Sequence, residues 1–152
     1  MKELIYMCNR NCHCNCHRNC HCNMQGRCCI EEGIRDIREG IRDIREGLED
    51  ICQNRICEGI RDINEGVRDI REGLCDIIRG LRCMECCIGC RGRRDIREGI
   101  CDIEEGLRDI CEGLRDIING NIDEGVRDIR EGLRDIEEGL NDIIEGLNDT
   151  CR

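Results

Sequence analysis

The sequence has almost no aromatic side chains: Phe and Trp are absent, and Tyr6 is the single aromatic residue among 152. Proline is absent as well. Proteins that bind single-stranded nucleic acid stack the bases on aromatic rings, so the sequence excludes that mode of binding. The formal net charge of -10 also opposes a phosphate-binding surface. We therefore expect no nucleic-acid partner.

Long apolar runs are also missing. No stretch approaches the ~20 apolar residues that a transmembrane helix requires. The opening MKELIYM is too short for the apolar region of a signal peptide, and no small-residue cleavage site follows it. The sequence therefore predicts no membrane partner and synthesis in the cytoplasm without a signal peptide.

Serine is absent, and the three histidines all lie near the N-terminus. The rest of the chain therefore offers no pair of a hydroxyl group and an imidazole for nucleophilic catalysis. Cys-x-x-Cys spacings occur, but nothing around them indicates the strand-helix setting that redox enzymes of this type use. We expect that the protein is not an enzyme.

Glycine, in contrast, is abundant and regularly spaced. It recurs every seven residues in four blocks, which begin 33 residues apart at Gly26, Gly59, Gly92 and Gly125; only Gly89 departs from this spacing. Internal repeats of this kind decide the architecture. The chain is predicted to be a Cys/His-rich N-terminal arm, residues 1–25, followed by a four-repeat domain, residues 26–152. The repeats are 26–58, 59–91, 92–124 and 125–152.

The seven-residue unit, of which IRDIREG is typical, predicts an amphipathic helix. With Gly at heptad position g, position a is Ile, Leu or Val and position d is nearly always Ile, with charged residues between them. Each junction adds a step of five residues, which would turn the apolar stripe of a continuous helix by about 140°. A chain reversal avoids this. The prediction is an all-α fold, an antiparallel four-helix bundle. The β-branched Ile and frequent Gly leave a β-solenoid as the alternative.

Glycine inside a helix is costly, at roughly 0.8–1.0 kcal/mol per residue relative to Ala. Something must offset this cost at every repeat. Glycine at position g removes side-chain bulk beside the apolar stripe and lets two backbones approach closely. We therefore predict close helix packing at the glycines.

The 18 cysteines avoid the apolar positions a and d within the repeats. Cys75 and Cys101 lie at b, and Cys52 and Cys111 lie at e, which predicts that these thiols point outwards. The candidate cross-linking residues are Cys52, Cys57, Cys75, Cys101, Cys111 and Cys151. Disulfides between chains would form there once the protein leaves a reducing compartment.

Two further groups of cysteines have spacings that suit metal ligands. One is CMECCIGC, in which two Cys-x-x-Cys spacings could hold a tetrahedral ion. The other is the N-terminal arm, where thiols and imidazoles alternate and suit Zn²⁺ or Cu(I). The alternative for the arm is an unstructured, disulfide-forming segment. The candidate ligands are Cys8, Cys12, His13, Cys14, Cys16, His17, Cys20, His21, Cys22, Cys83, Cys86, Cys87 and Cys90.

Two functions follow from these patterns. The first is a structural protein that assembles with copies of itself into a filament or sheet, cross-linked by disulfides. In its cysteine abundance, histidine-rich clustering and low complexity the chain resembles the cysteine-rich coat and exosporium proteins of bacterial spores, which implies a spore surface or another extracellular assembly. The second is metal sequestration. The chain is similar to bacterial copper-storage proteins in combining a helical bundle with many thiols, but its core positions hold Ile and Leu.

Overall fold

The computed structural model of this protein describes residues 21–84 and 90–148. Within these ranges it contains four α-helices and no strand: α1 (His21–Cys52), α2 (Ile56–Cys83), α3 (Cys90–Ile118) and α4 (Ile122–Asn148). The predicted all-α fold is confirmed, and the β-solenoid alternative is wrong for these residues. The reason is the spacing of the apolar residues, which a helix gathers on one face and a strand would not.

The chain divides into two units, residues 1–87 and 88–152. The first holds α1 and α2, and the second holds α3 and α4. The two helices of each unit pack closely along their length. Each unit is thus a helical hairpin made from two successive copies of the repeat. Residues 85–89, between α2 and α3, lie outside the described residues. Helix α1 begins at His21, within the segment predicted as the N-terminal arm.

Glycines face each other across both hairpins. As one residue number rises by seven the other falls by seven, so the helices of each hairpin are antiparallel. The facing pairs are Gly26 and Gly80, Gly33 and Gly73, Gly40 and Gly66, Gly47 and Gly59 in the first hairpin, and Gly92 and Gly146, Gly99 and Gly139, Gly106 and Gly132, Gly113 and Gly125 in the second. We call these two rows of glycines the glycine seams.

The seams are too tight for any side chain. A Cβ atom added to Gly47 would lie 2.7 Å from the carbonyl oxygen of Gly59 and 2.7 Å from Cγ1 of Ile63, and both distances are shorter than real Cβ atoms show. Every facing pair repeats this arrangement. The predicted close packing at glycine is therefore confirmed, since backbone lies directly against backbone at each seam.

The apolar core lies beside the glycine seams. The isoleucines at position d have no exposed surface in the middle of the helices, and most residues at position a are buried as well. The fully buried isoleucines are Ile37, Ile44, Ile63, Ile70, Ile77, Ile103, Ile110, Ile129, Ile136 and Ile143. Each buried side chain of this size contributes about 1.5–3 kcal/mol, which exceeds the cost of one glycine in the same heptad.

Both hairpins reverse direction through the same turn. The N–H of Arg55 donates to the carbonyl of Asp50 (2.8 Å) and that of Asn54 donates to Ile51 (2.9 Å). The second turn repeats both bonds, from Asn121 to Asp116 and from Gly120 to Ile117. This pair of bonds defines a Schellman cap, which needs a left-handed residue at its centre. Asn54 (φ 66°) and Gly120 (φ 94°) supply it.

Candidate functional site

The predicted cross-linking cysteines differ in accessibility. Cys52 and Cys57 are exposed, on either side of the turn between α1 and α2, whereas Cys75, Cys101 and Cys111 are half-buried. Cys151 lies outside the described residues. The two thiols at the turn are therefore the most accessible of this group to a second chain.

The turn between α3 and α4 carries other residues at the same places. Ile118 corresponds to Cys52 and Asp123 to Cys57, because the two hairpins have equivalent turns. Ile118 is 67% exposed, so a side chain at this position projects into solvent in the second hairpin too. The turn therefore exposes these positions in both hairpins, but only the first hairpin has cysteines at them.

Most of the predicted metal ligands lie outside the described residues. These are Cys8, Cys12, His13, Cys14, Cys16, His17, Cys20, Cys86 and Cys87. Of the others, His21 and Cys22 open α1, Cys90 opens α3, and Cys83 ends α2. Among the residues that the structure describes, no group of three or more His, Cys, Asp or Glu side chains is arranged to hold a metal ion. The metal-site hypothesis therefore rests on the sequence pattern alone.

Aspartates at heptad position c form a second regular feature, which sequence reasoning did not single out. Each one precedes an Ile at d, and those of one helix face those of its partner across the hairpin. The carboxyl groups of Asp43 and Asp69 lie close enough to share a hydrogen bond when one of them is protonated. We call two facing residues at position c a rung. The Asp–Asp rungs whose members act on each other are Asp43 and Asp69, Asp36 and Asp76, Asp102 and Asp142, and Asp109 and Asp135.

The rungs disfavour the ionised form of their carboxyl groups. Burial raises the pKa of Asp43, and the negative charge of Asp69 raises it further. Burial likewise raises the pKa of Asp69, while its hydrogen bond to Asp43 lowers it. In the second hairpin burial raises the pKa of Asp102, with Asp142 as the next cause, and that of Asp109, with Asp135 next. The rungs are thus sites of charge repulsion between paired helices.

Asp76 also makes an ion pair within its own helix. Burial raises the pKa of the Asp76 carboxyl and the charge of Asp36 adds to this, but the Arg79 guanidinium lies 2.7 Å from it and lowers the pKa. Arg79 is one helical turn along on the same face. Its charge partly relieves the repulsion at this rung.

Cysteine replaces Asp at one rung of the first hairpin. Cys29 and Cys83 lie at position c, with Cys29 seven residues before Asp36 and Cys83 seven residues after Asp76. A Cβ atom added to Gly26 would lie 3.1 Å from Cβ of Cys83, and the equivalent distance in the second hairpin, from Gly132 to Cβ of Asp109, is 3.2 Å. Cys83 thus occupies the place of a rung residue. The antiparallel register of α1 and α2 is what separates Cys83 from the outward cysteines at positions b and e.

Comparison of the chain with protein-family models, with curated proteins and with solved structures found no match.

Proposed function

We propose that this protein is structural: it assembles with copies of itself, and disulfides between chains cross-link the assembly into a filament or sheet. The two glycine-packed hairpins serve as stiff units. The exposed thiols join them, and the protein catalyses no reaction.

The observation that carries the proposal is the exposure of Cys52 and Cys57 at one tip of the first hairpin. Both lie on helices immediately beside a capped turn, whose hydrogen bonds restrain the backbone that carries them. A thiol that is exposed and fixed in place can meet a thiol of another chain without unfolding. A closely packed helical scaffold with thiols at its tip supports cross-linking between subunits.

The test is to purify the protein without reductant and to compare its migration on denaturing gels with and without added thiol. We expect a ladder of cross-linked species that collapses to monomer on reduction. Cys52→Ser combined with Cys57→Ser should remove most of the ladder. Ile118→Ser combined with Asp123→Ser changes the equivalent positions of the second hairpin and should leave the ladder unchanged.

Metal content, measured per chain in the same preparation, separates the proposal from metal sequestration. Cross-linked chains without bound metal support assembly. Monomers that carry several Zn or Cu ions, with no ladder in the absence of reductant, would instead support a metal-binding function of the cysteines and histidines at the N-terminus and around Cys83.

In the described part of the chain, no helix has the length and apolar character needed to cross a membrane. We propose that the chains are made in the cytoplasm and cross-link after transfer to an oxidising setting, of which the surface layer of a bacterial spore is one. The abundance of cysteine supports an oxidising final location, since cytosolic proteins rarely keep disulfides.

A further inference from the structure

One rung of the first hairpin differs chemically from the Asp–Asp rungs. Starting at Asp43 and Asp69, a step of seven residues along each helix leads to Asp36 and Asp76, and the next step leads to Cys29 and Cys83. Because α1 and α2 are antiparallel, residues reached by the same number of steps on the two helices face each other, as the glycines beside them do. Cys29 therefore faces Cys83 in the register in which Gly26 faces Gly80 and Asp43 faces Asp69.

The glycine seam is what brings such short side chains within reach of each other. Gly26 and Gly80 place the two backbones in contact beside this rung, and Cβ of Cys83 lies against the backbone of α1 at Gly26. A disulfide needs Cβ atoms about 3.5–4.5 Å apart, which ordinary helix packing at 8–10 Å between axes seldom allows. Backbone contact removes that obstacle.

We propose that Cys29 and Cys83 form a disulfide within the chain, which joins α1 to α2 at the end of the hairpin away from its turn. This site is separate from the cross-linking thiols at the turn, and the inference does not depend on the proposed function. Cys83 is only 6% exposed, so a second chain cannot reach it as it can reach Cys52 or Cys57.

The difference in exposure between the two thiols suggests how the bond forms. Cys29 is half-buried and Cys83 is buried. The oxidant is a low-molecular-weight disulfide. The Cys29 thiolate attacks one of its sulfurs, forms a mixed disulfide and releases one small thiol. The Cys83 thiolate then attacks the Cys29 sulfur and releases the second small thiol. Two cysteine thiols are oxidised, one small disulfide is reduced to two thiols, and the protons end on the small thiols.

The experiment uses the full chain in two variants that retain two cysteines each, with serine at all others. One retains Cys29 and Cys83. The matched control retains Cys28 and Cys83, which moves one thiol to the neighbouring exposed position b, about 100° around α1. Both are equilibrated in mixtures of oxidised and reduced glutathione, alkylated and weighed by mass spectrometry.

For the first variant we expect an intrachain disulfide whose equilibrium constant exceeds that of the control on the order of 100-fold. Its thermal midpoint should rise by about 10 °C on oxidation, because the bond closes a long loop in the unfolded chain. Equal constants for the two variants, or cross-links only between chains, would overturn the proposal.

Circular dichroism of both variants checks that they fold. The wild-type chain gives a second reading that does not depend on the serine background. After oxidation, alkylation and cleavage at arginine, fragment 28–35 should be joined to fragment 83–91. Fragmentation of this product should assign the bond to Cys29 and Cys83. An alkylated Cys29, or Cys29 joined to any other cysteine, refutes the site.

Discussion

At the scale of single residues, the seam glycines allow close helix packing because they have no side chain. Their conformational flexibility matters less. The seam glycines have ordinary helical backbones, and only Gly120 among the described glycines has a positive φ. Their helix propensity is poor. This cost is offset because the glycines allow contact between the two backbones, which buries the isoleucines beside them.

Gly40→Ala tests this account. The added Cβ would lie 2.7 Å from Cγ1 of Ile70 and against the carbonyl oxygen of Gly66, and a backbone oxygen cannot rotate away. We expect a net loss of about 2 kcal/mol in the free energy of unfolding, although Ala gains about 1 kcal/mol in helix propensity. Denaturant unfolding measures it. Arg38→Ala, at an exposed position two residues away, should change stability by less than about 0.5 kcal/mol. A Gly40→Ala variant as stable as the wild type would contradict tight packing at the seam.

The glycine seams stabilise the hairpins, whereas the aspartate rungs destabilise them, because each rung places two acidic side chains close together. Because the folded pKa values of Asp43, Asp69, Asp102 and Asp109 are raised above those of the unfolded chain, the folded state binds more protons than the unfolded state between the two values. Stability is therefore lower above the folded pKa and increases as the pH falls through it towards the unfolded value.

We expect acidification from neutral pH to about pH 4 to raise the free energy of unfolding, because the rung carboxyl groups bind protons more readily in the folded state. Asp43→Asn removes the charge at one rung. It should stabilise the protein at neutral pH and reduce the gain on acidification, as measured by denaturant unfolding at both pH values. Glu112→Gln changes an exposed acid outside the rungs and should leave the gain intact. A gain that is the same in Asp43→Asn as in the wild type would rule out the rung as its source.

At the scale of elements, the turn is the feature that converts one long heptad pattern into a hairpin. Its central residue must be left-handed, and the two hairpins meet this demand with different residues, Asn54 and Gly120. Asn tolerates this conformation through its short polar side chain, and glycine adopts it without a steric penalty. The first turn adds an ion pair between Arg55 and Asp50.

Gly120→Ala separates conformation from packing. No atom lies within 4 Å of the Cβ that the substitution would add, so any cost comes from the positive φ alone. We expect a loss of about 1–2 kcal/mol in the free energy of unfolding. Gly120→Asn should lose less, because Asn occupies the same position in the first turn. Thermal and denaturant unfolding of both variants check this order, and equal losses would contradict it.

At the scale of the whole molecule, the two hairpins share one scaffold and differ in where they carry sulfur. The seams, the buried isoleucines, the rungs and the turns recur in both. Cysteine occupies both sides of the turn and a rung in the first hairpin, whereas Ile118, Asp123 and Asp95 hold the equivalent described positions in the second. The two hairpins thus carry cysteines at different positions on the same packed scaffold.

The sequence alone predicted the four helices, the reversal within each hairpin and the reason for the glycines. These features follow from local rules. A seven-residue apolar spacing places the apolar residues on one face of a helix, and a step of five residues interrupts that face. The sequence did not predict the rungs. Position c looks like any polar position on an isolated helix, and only the antiparallel register sets Asp43 opposite Asp69.

The same reason limits what the sequence says about sulfur. The heptad position of Cys52 indicated that its side chain lies away from the core, and the structure shows that Cys52 is exposed. Cys83 was grouped with its neighbours in the chain because Cys-x-x-Cys is a pattern along one segment. Tertiary structure placed it against Gly26 of another helix, because contacts between backbones far apart in sequence depend on which residues lie opposite each other, and no local spacing records that.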